Sequence, residues 1–324
     1  MILIISHAGD AHVPMVTGHL DRAGLSWALL ATDRLGADIG LDFALGPCAG
    51  PVPQARLTIA DGREVPLEAV RAVWNRRRIV APVRGGSDDD ALRSHYIREQ
   101  RLSLLDGALS HLDARWVNSP ASLTHARSKL DQLGRAAAIG LTVPDTLVSD
   151  DPYRVRAFAE RHASAGIITK VISPGTPVVP DGARQYMIFT QRFAASVPDA
   201  QISAAPAIYQ AEIRKSWEAR AVIVGERVLC CKFDSQASPR TELDWRRYDF
   251  ERVTHEQISL PDDFAGRLVR LCRGYGLVYG AIDLAMTPEG EWVFFELNPN
   301  GQWGWLEEKS GLPVGQALAA ELGA

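Results

Sequence analysis

The sequence predicts a mixed α/β (α+β) protein of two or three lobes, and three observations predict it. The chain is 324 residues long, enough for about two domains at about 100–200 residues each. Residues 1–120 alternate short apolar runs with helix-like stretches, the pattern of a layered α/β unit. The C-terminal third instead reads as strands joined by tight turns around one strongly periodic helix.

Ile2–Ser6 is a first buried strand. It is too short to span a membrane and lacks the basic flank and cleavage site of a signal peptide. A helical stretch around Val13–Ala23 follows, then strands at Trp27–Ala31 and Val70–Trp74. From Asp89 to Leu112 an apolar rhythm at Leu102, Leu105, Leu109 and Leu112 marks a helix, and Trp116-Val117-Asn118 returns as a strand before Ser119-Pro120. The first lobe is therefore placed at 1–120 and the remainder at 121–324, divided into a central lobe over about 121–208 and a C-terminal lobe over about 209–324.

In the central lobe a helix from Ser128 carries Lys129, Leu130, Leu133 and Ala137 and stops at Gly140. A helix at Pro152–His162 and a strand at Gly166–Val171 come next. The segment from Ser173 to Pro177 and the turn Pro180-Asp181-Gly182 suggest a mobile hairpin. The C-terminal lobe holds strands at Ala207–Ile213, Ala219–Val224 and Arg227–Asp234, then a charged loop through Arg252. Its helix carries Phe264, Leu268, Leu271 and Cys272 and is stopped by Gly274 and Gly276.

A net charge of −4 and a pI near 6.1 argue against nucleic acid as a partner, and no segment argues for a membrane. The basic runs Arg76-Arg77-Arg78 and Arg246-Arg247 are short, so solvation competes with binding at both. Cys48, Cys230, Cys231 and Cys272 show neither a CxxC pair nor metal spacing; free thiols in a reducing cytoplasm are expected, with Cys230 and Cys231 on opposite faces of one strand. His7, His12 and His125 lack metal-like spacing, and ordinary packing is expected of them.

The sharpest local signal is a hairpin: Leu277–Met286, the turn Thr287-Pro288-Glu289-Gly290, then Glu291–Asn298. Asp283 and Glu296 sit among Ile282, Leu284, Phe294, Phe295 and Leu297, where an ionised carboxylate needs a partner or a cation. If Met286 pairs with Glu291, then Asp283 faces Phe294, with Glu296 and Asn298 further along the same face. Two carboxylates and an amide oxygen make a hard site suited to Mg²⁺, while a pair of salt-bridged acids is the plainer alternative. A P-loop is absent, so a different phosphate cradle is required; Lys129 at a helix start and Lys170 ending the apolar run Ile167-Ile168-Thr169 are candidates.

The order of these pieces resembles the ATP-grasp ligases. Lys129-Leu130-Asp131 with Gly140-Leu141-Thr142-Val143-Pro144 resembles the family's lysine helix and strand entry, Lys170 its second nucleotide lysine, and Tyr209-Gln210 its adenine linker. Glu218-Ala219-Arg220 resembles its acid-x-Arg strand, and Phe295-Glu296-Leu297-Asn298-Pro299 its terminal metal motif. Among these ligases the chain looks most like the microviridin-type graspetide synthetases, through Trp74-Asn75-Arg76-Arg77, Trp116-Val117-Asn118-Ser119-Pro120, Lys215, Phe233-Asp234-Ser235-Gln236, Asp244-Trp245-Arg246 and Asn298-Pro299-Asn300-Gly301-Gln302-Trp303.

The resemblance implies an ATP-grasp fold preceded by a pre-ATP-grasp domain, with ATP and Mg²⁺ as cofactors. The activity implied is ADP-forming ligation, in which Asp or Glu side chains of a ribosomally made precursor peptide, leader plus acidic core, become acylphosphates and close ω-ester or ω-amide rings. It gives magnesium to Asp283, Glu296 and Asn298, phosphates to Lys129 and Lys170, adenine to Gln210 and ribose to Glu218. Catalytic charge falls to Arg220 and Arg246, and the peptide falls to Arg76, Arg77 and Lys215. A homodimer is expected from the family. One departure is Gln210-Ala211-Glu212-Ile213, where an acidic side chain usually follows the glutamine directly; Glu212 receives no role. Trp303 and Trp305 either line a peptide groove or pack in a core. Two other functions compete: ligation of a free amino acid to a peptide or protein, and a non-catalytic nucleotide-binding docking module.

Overall fold

The structure is a computed structural model that describes residues 1–46, 50–79, 88–172 and 188–324. Cys48 and the expected hairpin at 173–182 lie outside the described residues.

The first unit runs β1 (Ile2–Ser6), α1 (His12–Arg22), β2 (Trp27–Ala31), β3 (Gly40–Gly46), β4 (Gly50–Thr58), β5 (Glu64–Pro66), β6 (Ala72–Asn75), α2 (Asp88–Ser110), β7 (Arg115–Val117) and α3 (Pro120–His125). β2, β1, β6 and β7 form a parallel sheet in that order. Every residue of β1 is buried, as a parallel strand covered on both faces requires. The antiparallel sheet β3-β4-β5 has no counterpart in the sequence reading. The carboxyl ends of β1, β6 and β7 converge on one edge, the side of a parallel sheet where ligands commonly bind.

The second unit runs α4 (Lys129–Ala138), β8 (Thr146–Ser149), α5 (Pro152–Arg161), β9 (Ile167–Lys170), β10 (Gln191–Arg192), α6 (Asp199–Ile202) and β11 (Ala207–Ala211). Its antiparallel sheet has the order β10-β9-β11-β8. The break expected near 208 falls inside β11, which pairs with both β8 and β9; the next strand to leave this sheet begins at Trp217. Nor does α4 pack in a central core. Leu133 and Ala136 instead join Phe264, Leu268 and Leu297, because the side of α4 bearing Leu133 and Ala136 is laid on the C-terminal sheet.

The third unit runs β12 (Trp217–Val224), β13 (Arg227–Phe233), β14 (His255–Ile258), α7 (Asp262–Gly274), β15 (Tyr279–Met286), β16 (Trp292–Asn298), α8 (Gly304–Ser310) and α9 (Val314–Gly323). The sheet order is β14-β13-β12-β15-β16, antiparallel throughout. One face packs on α4 and α7; the other meets α1, α9, β1 and β6 in a core that includes Trp303. Cys230 lies in the first of these cores and Cys231 in the second, the opposite-face placement expected of adjacent strand residues. Leu268 of α7 is fully buried, so Leu268→Ala would cost about 2–5 kcal/mol. Among the described residues no helix is long and apolar enough to cross a membrane.

Candidate active site

The β15–β16 hairpin closes through Thr287-Pro288-Glu289-Gly290, with Gly290 at φ +84°, a left-handed conformation that glycine adopts without steric cost. Met286 pairs with Trp292, one residue past the expected Glu291, and a bulge between Asp283 and Leu284 shifts the register again. Leu284 pairs with Phe294, whereas Asp283 pairs directly with Glu296. The expected facing of Asp283 to Phe294 is therefore corrected. Phe295 is skipped, and without that skip Asp283 would face it while Glu296 turned to the opposite side of the sheet.

Next to this pair, β12 places Arg220 opposite Asp283. The guanidinium grips the carboxylate with two bonds, Nε to Oδ1 at 2.8 Å and Nη2 to Oδ2 at 2.9 Å, and lies 4.6 Å over the Trp245 ring. Burial raises the Asp283 carboxyl above its ordinary value, and the charge and two-bond fork of Arg220 oppose that rise. Two residues before Arg220 on the same face, Glu218 is buried and stands 3.1 Å from Lys215 Nζ. Asn298 donates to Glu296 Oε1 at 3.1 Å and lies 3.5 Å from Asp283 Oδ2.

Lysines face these acids from the neighbouring elements. Ser128 caps α4 by accepting from the Asp131 amide, which fixes Lys129 at the helix start. A cation there opposes the helix dipole, and Glu296, 3.4 Å away, offsets it. Lys170 ends β9 with its ammonium 5.1 Å over the Phe295 ring. Burial pulls its pKa down to about 8. Burial would raise the Glu296 carboxyl, but Lys129, Lys170 and the Asn298 amide hold it down at about 2. Gln210 of β11 is buried and donates to Thr146 Oγ1 at 3.0 Å.

Lys129, Lys170, Gln210, Lys215, Glu218, Arg246, Asp283 and Glu296 line one cavity. It measures about 90 Å³, below the ~300–1,000 Å³ of small-molecule sites. Asp244 accepts from the Thr190 amide of the central lobe at 2.9 Å and, within its own lobe, from Arg246 Nε at 2.8 Å. Arg246 is therefore ion-paired with Asp244 rather than solvated. Arg220 and Arg246 each give two nitrogens of the guanidinium to a carboxylate.

Arg76 does not meet solvent or a peptide. It is 3 % exposed, lies 3.6 Å from Asp10 and donates to the Asn300 carbonyl at 3.0 Å. Arg77 is exposed and lies outside the cavity. Trp303 is core, and Trp305 packs with Phe233, Trp245, Tyr248 and Phe250.

Sequence reasoning also missed a belt that follows β16. Consecutive backbone groups are each held by a side chain: the Pro299 carbonyl by Asn118 at 2.8 Å, Asn300 by Arg76, Gly301 by the Tyr279 hydroxyl at 2.8 Å and Gln302 by Arg220 at 2.9 Å. His12 Nε2 accepts from the Trp303 and Gly304 amides at 3.3 and 3.1 Å, which places its proton on Nδ1, donated to Asp10 at 2.9 Å. Upstream, Gln132 of α4 donates to the Leu297 carbonyl and accepts from the Leu297 amide, at 2.7 and 2.9 Å. The signal for the belt was a run of polar residues just past β1, β6 and β7.

Among the described residues no three His, Cys, Asp or Glu side chains form a metal cage. Two carboxylates in register with an amide between them are nevertheless a hard-oxygen set that fits Mg²⁺ with phosphate oxygens completing it.

Residues 1–124 match the family model described as the MvdD pre-ATP grasp domain. No curated protein sequence matches the chain. Macrocyclase MdnC of Microcystis aeruginosa, solved with precursor peptide MdnA, is 27% identical over 99% of this chain and 98% of its own, at a TM-score of 0.85. A RiPP-associated ATP-grasp ligase of Chryseobacterium gregarium, solved with ADP and a leader and core peptide, is 25% identical over 99% and 96%, at 0.87. Macrocyclase MdnB of Microcystis aeruginosa is 26% identical over 99% and 98%, at 0.80. The fold is that of an ATP-grasp ligase with a pre-ATP-grasp domain. Within that class the chain is most like the microviridin-type graspetide synthetases.

Proposed function

We propose that this chain activates Asp or Glu side chains of a ribosomally made precursor peptide with ATP and closes ω-ester or ω-amide rings within that peptide. The observation that carries the reading is the Asp283–Glu296 pair, with Asn298 between the two carboxylates and Lys129 and Lys170 facing them. Similarity to ligases solved with precursor, leader and core peptides supports the substrate class.

In this reading Asp283, Glu296 and Asn298 hold magnesium, which when bound neutralises charge on the nucleotide phosphates. Lys129 and Lys170 bind the phosphates, Gln210 lies against adenine and Glu218 against ribose, with Lys215 fixing the Glu218 carboxylate. A substrate carboxylate oxygen attacks the γ-phosphorus and ADP leaves, giving an acylphosphate. Arg246 turns from Asp244 to the transferring group, and Arg220 steadies Asp283 from behind. A hydroxyl or amine of the same peptide then attacks the acyl carbon and phosphate departs; holding both groups in one site is the main contribution to rate. The nucleotide-binding unit is assigned to the chain that follows the parallel sheet and α3; the sheet ends with β7 at Val117 and the expected boundary at 120/121 falls at the start of α3. Burial of Cys230, Cys231 and Cys272 as free thiols accords with a cytoplasmic setting, and light scattering of the purified protein tests the homodimer.

The test is the intact mass of an acidic peptide encoded beside the gene, incubated with the protein, ATP and magnesium. Loss of one water per link, dependent on both additives, is expected. An unchanged mass for a peptide that binds would overturn macrocyclisation, and a mass gain on adding a free amino acid would assign that ligation instead.

A further inference from the structure

A second concavity of about 700 Å³ lies between α2, the ends of β6 and β7, and α3, and the reaction above makes no use of it. Its wall is partly apolar, with Leu109, Leu112 and Trp116, and its rim is basic, with Arg77, Arg78 and Arg127. Asp106 is the single acid among its described lining residues, and it is already paired with Arg78. Arg78 still keeps a buried nitrogen, Nη2, without a hydrogen-bond partner. Arg77 and Arg127 are exposed, and among the described residues neither side chain has a partner.

The groove and the nucleotide cavity are linked through the chain. Asn300 in its wall follows Asn298 by two residues, and Arg127 precedes Lys129 by two. An excess of unpaired guanidinium above an apolar wall suits an extended segment carrying carboxylates, each able to take a two-bond contact from arginine. We propose that this groove holds the acidic segment of the peptide substrate, with Arg77 and Arg127 taking carboxylates other than the one being activated. The occupant rests on the peptide reading above. Carboxylates held here stay away from the phosphates, so the groove helps to select which side chain reacts.

The test is fluorescence anisotropy of a fluorescein-labelled peptide of alternating glutamate and threonine, titrated with the full chain at low ionic strength. Arg77→Glu combined with Arg127→Glu is expected to weaken binding at least about tenfold. Arg154→Glu with Arg161→Glu on α5, an equal change of charge outside the groove, is expected to leave affinity within about twofold, as is Lys129→Ala in the cavity. Equal affinity in the groove variant overturns the proposal, as does equal weakening by Lys129→Ala or by the α5 pair, or no binding by the unsubstituted protein. The readout does not require turnover. Failure of ring formation sinks the macrocyclase reading without touching this measurement, whereas normal ring formation with unaltered affinity in the groove variant sinks the groove alone.

Discussion

Asp283 stands opposite Glu296 only because Phe295 is skipped between the two strands, and the two acids then differ in how they are held. Asp283 shares a buried two-bond fork with Arg220, while Glu296 and its partner Lys129 are 23 % and 20 % exposed.

Asp283→Asn should therefore cost both activity and stability. Removing one partner of a buried ion pair costs about 3–5 kcal/mol, so calorimetry should show a clear fall in Tm, whereas Glu296→Gln should lower it much less. Both should reduce ADP formation by about a hundredfold or more. Ligase activity retained by either at saturating magnesium would remove it from the metal set.

Asn118→Ala should loosen the belt after β16. Its amide donates to the Tyr279 and Pro299 carbonyls and its oxygen accepts from the Val278 and Tyr279 amides. At about 1 kcal/mol per bond, with buried groups left unpaired, the loss should be about 3 kcal/mol or more. Urea unfolding measures it; a change under about 1 kcal/mol would mean the belt holds without Asn118.

Asp10 gives stability a definite acid limb. Burial alone would raise its carboxyl, but bonds from His12 and Ser6 and the charge of Arg76 reverse this and hold it well below the usual value. The native state thus binds fewer protons than the unfolded chain near pH 4, and stability rises with pH there. This contribution is complete above about pH 5 and is lost as pH falls through the depressed value. Asp10→Asn should flatten the fall in urea midpoint between pH 5 and pH 3; an unchanged slope would show that other carboxylates set the limb.

Cys230, Cys231 and Cys272 should resist thiol reagents in the native protein. All three are buried, and burial pushes the Cys272 thiol up to about 12 and the other two upward. A chromogenic disulfide at pH 8 should leave these three unmodified until denaturant is added, as peptide mapping would reveal.

Strands and helices with clear periodicity were legible in the sequence: α7 starts and stops where its apolar spacing and Gly276 put it, and β15 and β16 lie where the turn residues imply. Register was not. Nothing in Phe294-Phe295-Glu296 distinguishes a bulge from a regular strand, because either residue can fill an apolar face. The tertiary placement of α4 was equally hidden, since Leu133 and Ala136 declare a buried side without naming what buries it. Arg76 misled for a related reason: three successive arginines look solvated, yet the first, just past the end of the fully buried β6, turns inward to Asp10 and Asn300 while Arg77 stays outside.

The belt also constrains recombination among relatives. Asn118, Arg76 and His12 come from the first 120 residues and grip 299–304 near the other end of the chain. A first lobe transplanted from another synthetase would meet a foreign Pro299–Gly304 segment, and both would have to be exchanged together for the graft to keep β16 in place. Natural chimeras that swapped only the front would fail at the far terminus, so these two distant stretches are expected to travel through evolution as one inherited unit.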